Sequence, residues 1–203
     1  MEQTLTVQTL PVGPIQANCY ILSVPGRSDC VLIDPGDEPE LIREALGEKK
    51  VAAVLLTHGH FDHIGGVKGV IDTDTQVYIH PLDEPMLSNP AKNMAVLIGS
   101  DFKLPIKSLS ANEGDLIIAA GISFDVLHTP GHTPGSVCYL SGNALFSGDT
   151  MFRHGYGRTD LPGGSFHDLY QSLKRLLQLQ KDVKVYPGHD NPTTIGMEKE
   201  RFR

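Results

Sequence analysis

The sequence predicts an α+β fold in which two β-sheets pack face to face with helices outside. Three observations predict it. Short apolar runs end at turn signals such as Pro25-Gly26 and Pro35-Gly36, as strands do. The run 51–56 is apolar throughout, which is the pattern of a strand covered on both faces. The order reads strands, helix, strand, helices, strands, helix, strand, and two sheets with outer helices bury all of these faces. The chain has 203 residues, 40% of them hydrophobic and 20% charged, enough for a large core in one domain spanning 1–203.

The elements follow in order. Leu5, Val7 and Leu10 alternate as a strand does and lead into a turn over 11–14. Residues 18–24 and 30–33 are two further strands. Asp37 with Glu40 marks a helix start and Gly47 a stop, around Leu41, Ile42, Ala45 and Leu46. After strand 51–56 come a histidine-rich loop and a short helix near 66–71. Residues 77–79 form a strand, and 81–98 one or two helical pieces with weak caps. Residues 116–119, 122–127, 137–140 and 144–146 make a second series of strands. Ser165 and Asp168 cap an amphipathic helix. Its residues Phe166, Leu169, Tyr170, Leu173, Leu176 and Leu177 sit at helical spacing and are read as a core-facing stripe. Residues 183–186 form the last strand.

Composition removes several classes of function. The net charge of −7 leaves no global basic field, so no nucleic-acid partner is expected. No run approaches the ~18 apolar residues of a membrane span. The start Met1-Glu2-Gln3-Thr4-Leu5 has neither a basic stretch nor an apolar segment of the signal-peptide kind, and a cytoplasmic location is expected. Cys19, Cys30 and Cys138 are odd in number, far apart and without CxxC spacing. They read as buried thiols in a reducing compartment, not a disulfide framework or a zinc knuckle.

The chemistry lies in the histidines. Thr57-His58-Gly59-His60-Phe61-Asp62-His63 follows directly on a buried strand, where rigid scaffolds present reactive groups. His58 and His60, two apart, place both imidazoles on one side of an extended segment. Gly59 is expected to permit a tight turn between them. Asp62 and His63 then address a second, adjacent position. Three more candidates end later strands: His132 in Thr129-Pro130-Gly131-His132-Thr133-Pro134-Gly135, Asp149 in Ser147-Gly148-Asp149, and His189 in Tyr186-Pro187-Gly188-His189. Each has glycine before it, which lets the backbone approach a crowded site. Imidazole suits zinc, iron and other borderline metals, and a carboxylate bridges two of them. Two such ions ~3.5–4 Å apart share a carboxylate and a water whose pKa falls towards ~7. No nucleophile elbow, P-loop or dinucleotide loop competes with this reading. His80, His128, His154 and His167 are read as structural or solvated.

THGHFDH, TPGHTPGS, SGDT and YPGH, in this order, resemble the metallo-β-lactamase superfamily. The likeness runs from Asn18-Cys19-Tyr20 to His189. It implies a four-layer αββα sandwich with two metals at one edge of the sheets. His58, His60 and His132 would then hold the first metal, Asp62, His63 and His189 the second, and Asp149 would bridge them. Asp34 resembles an aspartate that supports the ligand loop. Within the superfamily the chain looks like short-form glyoxalase II. That implies hydrolysis of a thioester of the S-lactoylglutathione type by metal-bound hydroxide, with Asp62 orienting the nucleophile. Arg158, in Gly157-Arg158-Thr159-Asp160, would face a substrate carboxylate, or alternatively pair with Asp160.

Two features depart from that pattern. Only residues 190–203 follow His189, so the helical C-terminal domain of full-length glyoxalase II is not expected. Asn191 stands where that group carries a substrate-binding tyrosine. Both bear on glutathione more than on thioester cleavage, and a small-molecule acyl-thiol is the expected partner. Two divalent ions, zinc first, with iron or manganese also compatible, are the expected cofactors. The same resemblance admits a persulfide dioxygenase using a single iron, and more weakly a lactonase. The segment 86–101 reads equally as a lid or an interface.

Overall fold

In the computed structural model, residues 5–201 are described. The first sheet has the order β1 (Thr6–Val12), β2 (Ala17–Ser23), β3 (Asp29–Ile33), β4 (Lys50–Leu55), β5 (Gln76–Ile79) and β6 (Leu109–Ser110). β1 to β3 pair antiparallel, and β3 to β6 pair parallel. The second sheet runs β12 (Thr193–Thr194), β11 (Lys184–Pro187), β10 (Ala144–Gly148), β9 (Val137–Ser141), β8 (Ile122–His128) and β7 (Leu116–Ala119). It is antiparallel except where β10 meets β11. The helices are α1 (Pro39–Leu46), α2 (Phe61–Ile64), α3 (Val67–Val70), α4 (Glu84–Leu87), α5 (Phe166–Leu176) and α6 (Ile195–Arg201), with a 3-10 turn at Ala95–Ile98.

Three apolar cores hold four layers together. Side chains alternate across a strand, so β2 sends Tyr20 and Leu22 one way and Cys19 and Ile21 the other. Tyr20 and Leu22 join Ile33, Leu55, Phe124, Val126, Tyr139 and Phe146 between the two sheets. Cys19 and Ile21 join Leu32, Val54, Ile42, Leu46 and Val67 under α1 and α3. On the far side, Cys138, Leu145 and Val185 pack against Leu169, Leu173 and Leu176 of α5. This is the αββα sandwich the sequence implied. The apolar run of β4 is explained by it, since Ala53 and Leu55 face the inter-sheet core while Val54 faces the helices. The three cysteines are buried and unbonded, as expected.

Several local expectations are corrected. Pro11 belongs to β1, paired with Asn18, and the turn begins only at Gly13. Pro is tolerated there because β1 is an edge strand. α1 starts at Pro39 without a side-chain cap, and Asp37 instead accepts from the backbone N–H of Glu38. The stretch 81–98 does hold two short helical pieces without side-chain caps, α4 and the 3-10 turn, as read; Pro81, Pro85 and Pro90 keep them short, and Asn93 takes over backbone partners, its amide donating to Met86 O and Phe102 O. α5 is capped by Ser165 as read, its hydroxyl accepting from Asp168 N at 3.3 Å. Yet Phe166 and Tyr170 are half exposed. They leave the core stripe because Tyr156 and Phe166, then Phe166 and Tyr170, pack ring against ring outside it. β6, β12 and α6 were not anticipated; the two strands have two residues each, too few for periodicity to register.

Candidate metal centre

The seven residues singled out in the sequence converge at one edge of the sandwich. His58 and His60 lie on the loop after β4. Asp62 and His63 sit on the first turn of α2, with His60 as its extended N-cap, so they belong to a helix and not to the loop itself. His132 follows β8, Asp149 follows β10 and His189 follows β11. Donor atoms of His58, His60 and His132 fall within 4.8 Å of one another, and so do those of Asp62, His63 and His189. Asp149 lies between the groups. Its Oδ2 is 3.4 Å from His132 Nε2 and 3.7 Å from His189 Nε2, and its Oδ1 is 3.4 Å from His63 Nε2.

Those spacings suit shared ions. Ligands bonded at 2.0–2.1 Å to one tetrahedral ion lie ~3.3 Å apart. His63 Nε2 and His189 Nε2 stand 3.4 and 3.3 Å from Asp62 Oδ2. His60 Nδ1 and His132 Nε2 face one another at 2.9 Å. Nε2 of His58, His60 and His63 and Oδ1 of Asp149 are buried without a hydrogen-bond partner among the described residues. Buried polar atoms seldom go unpaired, and here the donor set is that of a transition metal.

Surrounding groups fix which nitrogen each ring presents. His63 Nδ1 donates to Asp34 Oδ2 at 2.9 Å, leaving Nε2 for a ligand. Asp34 also accepts from Thr57 N at 2.8 Å and Thr57 Oγ1 at 2.6 Å. Thr57 Oγ1, having spent its proton on Asp34, accepts from His58 Nδ1 at 3.1 Å. His132 Nδ1 donates to the carbonyl of Arg158 at 2.8 Å. Donor atoms of Asp34, His58 and His63 also fall within 4.8 Å of one another, but the Asp34 oxygens already accept from Thr57 and His63, which suits a residue that orients the candidate ligands.

Asp83 is the residue sequence reasoning missed. It is fully buried. Its Oδ2 accepts from Thr133 Oγ1 at 2.6 Å and Gly59 N at 3.2 Å, and its Oδ1 from Gly135 N at 2.7 Å. It thereby clamps the His58–His60 loop to the His132 loop. Burial pushes its carboxyl up, against these hydrogen bonds. The available signal was an acid within an apolar stretch after a strand. Asn18 plays a similar part for the third loop, donating to Pro187 O and Asp190 O. His80 and His128 stack on one another at 4.2 Å, outside the seven.

The glycines act by closeness. A Cβ on Gly188 would lie 2.1 Å from Asp149 Oδ1, and one on Gly59 would lie 2.6 Å from Met86 Cβ. Gly59 therefore serves packing against α4; its φ is not in the left-handed region, so the expected tight turn is not its reason.

The electrostatics follow from burial and crowding. Burial, then neighbouring imidazoles, lowers His58 well below the usual range and His60 to about 3. Burial also works against a proton on His63, but Asp62, Asp149 and Asp34 overcome it and raise His63 to about 10. Burial pushes Asp62 up, and the charges of His63 and His189 outweigh it and hold the carboxyl well below its ordinary value.

A cavity of about 520 Å³ opens over the cluster, with His60, Asp62, His132, Asp149 and His189 in its wall. Met94, Leu97 and Ile98 line it too, so the segment 86–101 supplies part of its wall. Arg158 stands at the rim, its guanidinium donating to both carboxylate oxygens of Asp160 at 2.7 Å.

A family model described as the metallo-beta-lactamase superfamily matches residues 12–189. The chain is 38% identical over 200 residues to "Probable metallo-hydrolase YqgX" of Bacillus subtilis, covering 95% of this chain and 93% of that one. It is 31% identical over 204 residues to "Hydroxyacylglutathione hydrolase GloC" of Haemophilus influenzae, covering 96% and 95%. Among solved structures it is similar to BLEG-1 B3 metallo-beta-lactamase (36% identity, TM-score 0.88, covering 96% and 97%). It is also similar to TTHA1623 in a di-iron-bound form (40%, 0.83, covering 95% and 96%), and to ETHE1 from Myxococcus xanthus (28%, 0.77, covering 96% and 81%).

Proposed function

The chain belongs to the metallo-beta-lactamase superfamily, and from that membership we propose that this metal-dependent hydrolase is binuclear and cleaves thioesters. The observation that carries the reading is the convergence of two three-residue donor groups on a shared Asp149 at the floor of an open cavity. His58, His60 and His132 would hold one ion, Asp62, His63 and His189 the other, and Asp149 both. Zinc is the proposed metal, with iron as an alternative in view of the di-iron form of TTHA1623. The likeness to a hydroxyacylglutathione hydrolase supports thioester chemistry.

When bound, the ions supply a Lewis acid for a carbonyl oxygen and a water of lowered pKa. The chain's own residues do the rest. Asp62 stays ionised beside His63 and His189, so it accepts a hydrogen bond from the attacking water and orients it. Asp34, Thr57 and the Arg158 carbonyl fix three imidazoles before substrate arrives, so little reorganisation accompanies reaction. Water oxygen bonds to the acyl carbon and gives up one proton to solvent, the carbon–sulfur bond breaks, and the thiolate leaves with its electron pair and takes one proton back, so that one acid and one thiol form. Arg158 is the proposed contact for a substrate carboxylate, in exchange for Asp160. The pair it would surrender is exposed and weakly held.

The test is turnover of S-lactoylglutathione and simple S-acyl thioesters by protein with its metal restored. A kcat/KM of at least ~10⁴ M⁻¹s⁻¹ on one of them is expected, lost in His60→Ala and Asp149→Ala with the circular dichroism spectrum retained. No thioester turnover by fully loaded protein overturns the proposal. One iron per chain with O₂ uptake on a persulfide would put a dioxygenase in its place, and lactone cleavage alone a lactonase.

A further inference from the structure

The wall of the cavity above the metal centre is mostly hydrocarbon. Ile15, Phe61, Leu97, Ile98, Phe152 and Leu161 line it. Leu97 and Ile98 are 66% and 59% exposed and Ile15 is 50% exposed. Apolar side chains left open together beside a site mark what the site binds. Their exposure has a local cause. Leu97 and Ile98 sit on the 3-10 turn between two left-handed residues, Met94 at φ 68° and Gly99 at φ 71°. Met94 is buried and lines the cavity, while the turn carries the next side chains out over its mouth. A non-glycine residue in that conformation is costly, so the fold spends stability on presenting them.

The charges point the same way. Among the described lining residues Arg158 is the one lysine or arginine, enough for one carboxylate. A glutathione arm brings two carboxylates. Among the described residues the mouth has no second lysine or arginine to meet them, and its hydrocarbon wall offers desolvation to whatever enters.

Resting on the thioesterase reading, we infer that the cavity takes a thioester with an apolar acyl arm, which lies against Leu97, Ile98 and Ile15 while its carbonyl reaches the ligand cluster. Each methylene fully buried from water is worth about fourfold in affinity, and partial burial in an open mouth gives less per carbon.

The experiment compares N-acetylcysteamine thioesters of acetyl, butyryl, hexanoyl and octanoyl groups, with S-lactoylglutathione alongside, on metal-loaded protein. The leaving thiol is constant across the acyl series, so chain length alone varies. The kcat/KM is expected to rise at least ~tenfold from acetyl to octanoyl. That octanoyl-to-acetyl ratio is expected to fall at least ~fivefold in Leu97→Ser and in Ile98→Ser. Both side chains are exposed, so their loss leaves the core intact. Leu116→Ser, at an exposed leucine on β7 outside the cavity, is expected to keep the wild-type ratio. A flat or falling series, a ratio unmoved by the two turn variants, or preference for S-lactoylglutathione overturns the inference and leaves the thioesterase reading standing. No turnover of any thioester overturns that reading and the inference with it.

Discussion

At the scale of single residues, the centre depends on groups that never touch a metal. Asp34 accepts from Thr57 and His63, and through Thr57 it orients His58. Loss of such support commonly costs 10–100-fold in metal affinity. Asp34→Ala is expected to weaken zinc binding by about that factor, read by competition with a chromophoric chelator; unchanged affinity would contradict the assigned role. His63 makes a second prediction. Three carboxylates raise it to about 10, so it carries a proton at neutral pH until a metal displaces it. A ligand imidazole must be neutral. Zinc binding at pH 7–8 is therefore expected to release a proton from His63, and affinity to climb with pH up to about 10. Calorimetry in buffers of different ionisation enthalpy measures the release, and zero release would refute it. That these seven side chains gather in one place was legible in the sequence, because HxHxDH after a buried strand and three later Gly-His or Gly-Asp pairs at strand ends leave few other readings. Asp83 was not, since its partners Gly59, Thr133 and Gly135 are remote in sequence and only the fold assembles them. The side-chain pairing of Arg158 with Asp160 was visible two residues apart; its carbonyl's bond to His132 was not.

At the scale of elements, strand ends and short turns set the ligand positions. β4, β8, β10 and β11 each deliver a ligand loop, and Asp83 at the N-terminus of α4 ties two of these loops together. Asp83→Ala would leave Gly59 N, Thr133 Oγ1 and Gly135 N without their shared acceptor. A buried donor left unpaired costs about 1–3 kcal/mol; Thr133 Oγ1 keeps Ser136 Oγ at 2.7 Å, so a loss of at least ~2 kcal/mol from the two backbone donors is expected in urea unfolding, with weaker metal retention beside it. A loss under ~1 kcal/mol would mean that water replaces the carboxylate. The capping of α5 by Ser165 predicts a smaller effect, about 1 kcal/mol for Ser165→Ala, measured the same way. That cap was legible, because a polar N-cap before an amphipathic run is a local signal. Phe166 and Tyr170 misled at the same helix. Helical spacing fixes which residues share a face but not what covers the face, and here Tyr156 lies there in place of core.

At the scale of the whole molecule, the two sheets meet through one apolar core, and the helices seal the outer faces through two more. The four-layer arrangement was readable because the strands covered on both faces carry apolar residues on both. What escaped were the two-residue edge strands β6 and β12, where tertiary contacts decide and sequence period does not. The metal centre joins both sheets, with His58 and His63 following β4 of the first, and His132, Asp149 and His189 following strands of the second. Metal bound across that seam stabilises the native state by mass action. Removal of metal by a chelator is expected to lower Tm by several degrees and re-addition to restore it, by calorimetry; an unmoved Tm would mean that the seam is held without metal. Among the described residues no helix is long and apolar enough to cross a membrane. Two ions sharing Asp149 are proposed to drive thioester hydrolysis, and thioester turnover followed while metal-free protein is titrated with zinc decides it. Turnover is expected to saturate at two ions per chain and to stay absent in Asp149→Ala. Saturation at a single ion, or no turnover at any loading, would contradict it.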